Sequence, residues 1–296
     1  MGEVCRICPK NCAVDREKHA GFCGVGSTSY VARCALHMWE EPFISGKNGS
    51  GTIFFCGCNL RCIFCQNHEI STCSAPDFAV PADAHRLCEM MLKLQGLGAH
   101  NINFVSPTPH VHLIADAVVL ARKSGLFIPT VFNTNSYIET ESLKRLDGLI
   151  DIYLADMKYS TGALAKMLSG AEDYPQKARA AIKEMYAQCG NMQLDADGMA
   201  VRGLVIRHLV LPGNVGETAK VLDIIAEDYP KDMYISLMSQ YFPTHKANTL
   251  PPLDRPLLGR EYARATNYAL AIGFSNVLVQ KMQSATPEYV PKWGVL

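Results

Sequence analysis

A chain of 296 residues with 48% apolar side chains is long enough to bury the core of one large α/β domain or two smaller ones. Its 28 lysines and arginines balance 28 aspartates and glutamates, so no overall field draws in nucleic acid or an anionic membrane surface. No apolar run approaches the roughly 18 residues that cross a bilayer, and Met1-Gly2-Glu3-Val4-Cys5-Arg6 opens neither a signal peptide nor a myristoylation motif; the expectation is a cytoplasmic protein without a membrane or nucleic-acid partner.

The cysteines are the first unusual feature. Of 12, nine lie at or before Cys65, Cys73 and Cys88 follow, and only Cys189 falls in the rest of the chain. Cytosolic thiols are kept reduced, so this distribution points to metal ligands and buried thiols and away from a disulfide framework. In residues 1–50, Cys5, Cys8 and Cys12 form a knuckle, and Cys23 follows between Gly21 and Gly24, which let the backbone fold around a metal. Four cysteines close a site for a zinc ion or for an iron-sulfur cluster, and ligand type does not choose between them. Residues 28–50, with His37, Trp39, Glu40 and Glu41, read as a connector lying against the main domain.

From residue 52 the pattern becomes strand and helix in alternation. The β-branched and aromatic run 52–56 ends at Cys56-Gly57. Cys58, Cys62 and Cys65 follow at spacings that gather three side chains on one side of a tight loop. Three thiolates suit a cubane cluster in which one of four irons is left open for chemistry. Cys56, pointing the same way as Cys58 if the strand continued, is a fourth candidate, but it sits back from the loop and reads as a bystander. Further strands are expected at 101–105, 127–132, 150–155, 204–210 and 233–238, with helices at 84–97, 110–123, 140–147, 175–188 and 217–228. Six such units predict a parallel sheet with right-handed crossovers over residues 51–245. Asp197-Gly198 predicts a hairpin ahead of the fifth strand. Residues 246–296 supply a last helix at 259–272, an apolar run at 277–279 and a proline-punctuated tail packed on the main domain.

Ligands of parallel α/β folds sit at the C-terminal ends of the strands. These ends are polar here: Ser106-Pro107-Thr108-Pro109-His110, Asn133-Thr134-Asn135, Asp156-Met157-Lys158 and Ser239-Gln240-Tyr241, with Arg207 and His208 inside the otherwise apolar fifth strand. Their recurrence predicts one shared pocket. His110 and His112 open a helix, where residues two apart diverge, and are not expected to bind a metal together.

The motif Cys58-x3-Cys62-x-Phe64-Cys65, at the end of the first strand of this series, resembles the signature of the radical S-adenosylmethionine (radical SAM) superfamily. Residues 151–158 and 206–213 are similar to its pyruvate formate-lyase activating enzyme branch. The whole chain, with Glu40-Glu41-Pro42, Gly49-Ser50-Gly51 and Gln66-Asn67, resembles an activase-like group within that branch. The resemblance implies an α/β fold, a partial (β/α)6 TIM-like barrel, with a 4Fe-4S cluster on Cys58, Cys62 and Cys65 that binds S-adenosyl-L-methionine at its open iron. A donor such as flavodoxin or ferredoxin would supply one electron, and cleavage of the sulfonium would give a 5'-deoxyadenosyl radical for hydrogen abstraction. Phe64 would lie along the adenine, the Ser106–Thr108 turn would meet the amino group, and Asn133, Asp156 and Arg207 would face the ribose or carboxylate. The substrate would be a glycyl radical enzyme, or else a small molecule or peptide; outside this class stands a non-catalytic zinc or iron-sulfur protein. Ser106-Pro107-Thr108-Pro109 replaces the family's glycine-glycine-glutamate turn.

Overall fold

A computed structural model describes residues 4–72, 75–286 and 290–294, leaving Cys73 outside the described residues. In chain order the strands are β1 (Ser29–His37), β2 (Ser50–Phe55), β3 (Val80–Ala82), β4 (Ile102–Val105), β5 (Thr130–Thr134), β6 (Ile152–Asp156), β7 (Gln193–Leu194), β8 (Ala200–Leu209), β9 (Tyr234–Met238) and β10 (Asn276–Val279). The helices are α1 (Pro42–Ser45), α2 (His68–Ser71), α3 (Ala84–Gly96), α4 (Val111–Lys123), α5 (Thr140–Lys144), α6 (Gly162–Ser169), α7 (Tyr174–Cys189), α8 (Val215–Asp228) and α9 (Gly259–Ala271).

The apolar runs pair as a sheet because buried strands have no other way to satisfy their backbone groups. In the order β2-β4-β5-β6-β8-β9-β10 every neighbouring pair is parallel. The six anticipated strands are all present, and the run at 277–279 adds a seventh by pairing with β9. The hairpin at Asp197-Gly198 joins β7 to the start of β8, with Gly198 at φ +77°. Helices begin and end on the expected local signals: Asp83 caps α3 by accepting from the Arg86 N–H at 2.8 Å, and Gly98 and Gly125 follow α3 and α4 with φ of +85° and +99°.

Two expectations are corrected. Residues 28–50 hold more than a connector: β1 pairs antiparallel with both β2 and β3. The third strand of the series starts at Thr130, not at 127, because Pro129 has no N–H to donate and contributes only its carbonyl, to Ile102 N. Asn133 and Thr134 therefore belong to β5 itself.

The sheet curls around the segment that follows β1. Glu40 meets Asn103 of β4, Asn133 of β5 and Arg207 of β8, so strands far apart along the sheet face one residue. Below it, Phe43 and Ile44 of α1 pack with Val131, Ile152, Leu154 and Val205, which plugs the end of the barrel opposite the strand C-termini. The two edges of the sheet are β10 and β3. After β10 the chain returns toward β1: Arg33 donates to the Lys292 carbonyl at 2.5 Å, and the Gly294 N–H to that of Ala32 at 3.0 Å. Among the described residues no helix is long and apolar enough to cross a membrane.

Candidate active site

The cysteine loop begins where β2 ends, at Phe55. Gly57 turns the chain at φ +85°, and a Cβ there would lie 2.7 Å from the Cys23 carbonyl oxygen and 2.6 Å from a Val25 methyl, so only glycine fits. This turn separates Cys56 from Cys58. Cys56 is buried in an apolar cluster with Ala32, Phe54, Ile70 and Val105, while Cys58, Cys62 and Cys65 line one cavity. Each of these three sulfurs has a hydrogen-bond donor: Asn135 Nδ2 at 3.6 Å from Cys58, Ser169 Oγ at 3.0 Å from Cys62, and Ser71 Oγ at 3.5 Å from Cys65. Burial pushes the Cys65 thiol up to about 12, with the neighbouring Cys62 and Cys58 adding to the effect, and it raises Cys62 as well. Thiols so placed ionise only when a positively charged group takes them as ligands. Among the described residues no three His, Cys, Asp or Glu side chains close to the geometry of a single ion. The three donated-to thiols fit a cubane, whose ligands stand on separate corners.

The cavity has a volume of about 260 Å³ and is open on one side. Phe64, Ser106, Asn133, Asp156 and Arg207 line it together with the three cysteines. Ser106 is held at φ +56°. Thr108 is not brought into the cavity: a 3₁₀ turn, Thr108–His110, buries it, and its hydroxyl pairs with that of Thr134 at 3.1 Å. Of the Ser106–Thr108 turn expected to meet the amino group, Ser106 lines the cavity and Thr108 does not. His208 also faces away, between the Met157 carbonyl at 2.7 Å and Thr218 Oγ1 at 3.0 Å. His110 stacks on Phe55 with centroids 4.5 Å apart and bonds Ser29 Oγ and the Cys56 carbonyl, whereas His112 lies against Arg145, so the two histidines do not converge.

Burial pushes His110 down to about 3 and His208 down to about 4 from an ordinary value of 6.5. As pH falls, the unfolded chain therefore takes up protons first. The stability these neutral rings contribute is present above pH 6.5 and is lost as pH drops toward the folded values. Urea unfolding measured from pH 7.5 to 4.5 should show stability declining below 6.5 by up to about 1.4 kcal/mol per pH unit per histidine. His208→Gln, which keeps both hydrogen bonds without titrating, should make the decline shallower.

The centre of the cavity is a buried ion network. Arg207 donates to Asp156 Oδ1 at 2.9 and 3.1 Å, to Asn133 Oδ1 at 2.5 Å and to Glu40 Oε2 at 3.3 Å, and Lys158 Nζ reaches Asp156 Oδ2 at 2.6 Å. Burial opposes ionisation of Asp156, but Lys158 and Arg207 outweigh it and hold the carboxyl below its usual range. Burial raises Glu40 and Glu41, with Arg207 opposing. His37, Trp39, Glu40, Glu41 and Lys158 all line this cavity. Lys158 stands among the polar strand ends expected to share a pocket, whereas the other four were read as part of a connector; an acidic pair set between Trp39 and the apolar Phe43-Ile44 was the available signal.

A family model described as the Radical SAM superfamily matches residues 52–187, the span from β2 through the cysteine loop to α7. Over 272 residues, 90% of this chain and 74% of the relative, the chain is 31% identical to an uncharacterized protein of Methanocaldococcus jannaschii. The chain belongs to the radical SAM superfamily. A second uncharacterized protein of that organism is 24% identical over 310 residues, covering 99% of this chain and 86% of the relative. Radical SAM membership implies a 4Fe-4S cluster and S-adenosylmethionine at this site. Two solved structures share the fold: Streptococcus suis SuiB bound to its precursor peptide SuiA, and HydG, a maturase of the FeFe-hydrogenase. The first has a TM-score of 0.51 at 15% identity, covering 78% of this chain and 48% of that one. The second has a TM-score of 0.51 at 12% identity, covering 84% and 55%. The chain spans about half the length of each of these solved chains.

The second cysteine group lies against the radical SAM loop. Burial pushes the Cys8 thiol up to about 11, with Cys23 and Cys5 adding to it, and raises Cys23, with Cys5 and Cys12 contributing. A side chain at Gly21 would begin 3.2 Å from Cys12 Sγ and 3.7 Å from Cys23 Sγ. Cys8 also meets the side chain of Asn59, whose Oδ1 accepts from Asn135 at 2.9 Å, the same amide that donates to Cys58. The four N-terminal cysteines thus gather one hydrogen-bond relay away from the first.

Proposed function

We propose that this chain is a radical SAM enzyme whose substrate is a small molecule or a peptide segment held beneath its own C-terminal tail. The observation that carries this reading is the course of the tail. Thr286, Val290 and Pro291 line the cavity, Trp293 packs edge-on against Phe54 with centroids 5.6 Å apart, and its indole N–H reaches Glu69 Oε2 at 2.6 Å. A folded partner's loop would have to displace these contacts, whereas a small substrate is enclosed by them.

Cys58, Cys62 and Cys65 would hold the cluster, which with bound S-adenosylmethionine would supply a 5'-deoxyadenosyl radical on receipt of one electron from a donor of the flavodoxin or ferredoxin kind. The chain's own residues then position and protect. Phe64 offers a ring face for the adenine, beside Tyr241 at 6.4 Å. Asn133, Asp156 and Arg207 present acceptors and donors for the ribose hydroxyls and the carboxylate, pre-set by their mutual bonds. Enclosure by the tail keeps water and stray hydrogen donors from the reacting end. The N-terminal Cys5, Cys8, Cys12 and Cys23 hold a zinc ion or a second iron-sulfur cluster, and zinc and iron analysis of the whole protein separates the two.

A second reading, activation of a glycyl radical enzyme, draws on the likeness of residues 151–158 and 206–213 to the activating-enzyme branch. Truncation after Lys281 tests between them. If the tail encloses the site, the truncated protein should lose its cluster absorbance in air several-fold faster than the intact one. Equal rates would mean the tail does not shield the site and would favour the partner-directed reading.

A further inference from the structure

The cofactor side of the cavity and its floor differ in chemistry. At the floor, Glu40 is fully engaged by Asn103, Asn133 and Arg207. Glu41 is not. The residue is 8% exposed and borders the cavity, one contact goes to Ser236, and its Oε2 is buried with no hydrogen-bond partner. Asn103 gives its amide nitrogen to Glu40 at 3.0 Å, which turns its Oδ1 the other way, and that oxygen is likewise buried without a partner. Both orphaned atoms are acceptors, and a buried acceptor left without a donor costs free energy that native structures seldom tolerate.

Charge points the same way. Glu40, Glu41 and Asp156 line the cavity against Lys158 and Arg207, and both cations are already committed, Lys158 to Asp156 and Arg207 to Asp156 and Glu40. Glu41 is the carboxyl without an ion pair of its own: Arg207 acts on it from a distance but bonds Asp156 and Glu40. A carboxylate or carbonyl ligand would add a third acceptor, whereas an ammonium or guanidinium brings three or five N–H donors and the missing positive charge. The amino group of S-adenosylmethionine does not fill this place, because it belongs beside the cysteines at the strand ends. Asn103 lies three residues before Ser106, about 10 Å back along β4.

We propose that the substrate carries a protonated amine or guanidine that docks on Glu41 at the barrel floor, turning its far end toward the cofactor. This rests on the reading of the chain as an enzyme with an enclosed substrate, and it narrows that substrate to cations. The orphaned Glu41 oxygen becomes partnered when the substrate binds.

Calorimetric titration of the reconstituted protein with S-adenosylmethionine bound tests this with n-butylammonium and butylguanidinium against n-butanol and butyrate. The cations should bind at least about tenfold more tightly than the neutral and anionic probes, the worth of one charge-assisted contact. Glu41→Gln should erase that preference, Glu41→Asp should weaken it, and exposed Glu89→Gln should leave it unchanged. Equal binding of butanol and butylammonium to the unmodified protein would overturn the proposal, whether or not the variants fold. So would a preference that survives Glu41→Gln. Formation of 5'-deoxyadenosine is measured on the same preparation: its presence without cation preference sinks this inference alone, and its absence with the preference intact sinks the enzymatic reading.

Discussion

Alanine in place of Cys62 should strip the iron from the loop at the end of β2. The sulfur is buried, receives the Ser169 hydroxyl, and stands on the same cavity wall as Cys58 and Cys65. Three thiolates are the minimum that leaves one iron open, so no remaining ligand compensates, and Cys58→Ala and Cys65→Ala should behave alike. Cys56→Ala should keep its iron, because that side chain packs among Ala32, Phe54, Ile70 and Val105, on the far side of the Gly57 turn. Iron and sulfide analysis after anaerobic reconstitution reads the outcome, each variant taken as a difference from the unmodified protein so that metal at the N-terminal cysteines cancels. Equal iron loss in Cys56→Ala and Cys62→Ala would show the ligand set to be wrong.

Arg207→Ala should be the most destabilising single change in the cavity. The guanidinium is the shared counter-charge of Asp156 and Glu40, with side-chain exposures of 12% and 11%, and it also fixes Asn133. Removing it leaves buried Glu40 without a cation and Asp156 with Lys158 alone, a situation that typically costs about 3–5 kcal/mol. The pH dependence follows in sign. Without Arg207 both carboxyls hold their protons to higher pH, so the deficit is largest at neutral pH and shrinks as acid protonates them. Arg207→Lys keeps the charge but not the planar fork, and should fall between the two. Urea unfolding at pH 7.5 and 5.5 measures both effects; an Arg207→Ala loss below about 1 kcal/mol at pH 7.5 would mean the network is not a structural unit.

What the sequence displayed depended on how local the responsible physics is. The strands β2, β4, β6, β8 and β9 stand out because β-branched and aromatic runs are bounded by turns, and α3, α4 and α7 because glycine follows each. The cysteine loop is legible for the same reason: Cys58, Cys62 and Cys65 need only one another. β1 is harder to read. Only Val31, Ala32 and Cys34 of its nine residues are buried although it pairs on both sides, so it lacks the uniform apolar run of a central strand. α6, eight residues long with no side-chain N-cap, was not anticipated although the left-handed Gly170 closes it. Glu40 shows the limit most clearly. Its partners Asn103, Asn133 and Arg207 lie 63, 93 and 167 residues away, and only the curl of the sheet around residues 38–46 brings them together. Thr108 failed in the opposite direction, since position after a strand suggested exposure to the ligand, whereas the proline-flanked 3₁₀ turn folds it inward onto Thr134.

The proposed function rests on one event, the reductive cleavage of S-adenosylmethionine that we propose for the Cys58-Cys62-Cys65 site. The direct measurement is anaerobic incubation of the reconstituted protein with S-adenosylmethionine and a strong one-electron reductant, followed by quantification of 5'-deoxyadenosine and methionine. Both products should appear in equal amounts and vanish in Cys62→Ala. Their absence from the unmodified protein, with its cluster demonstrably intact, would contradict the account.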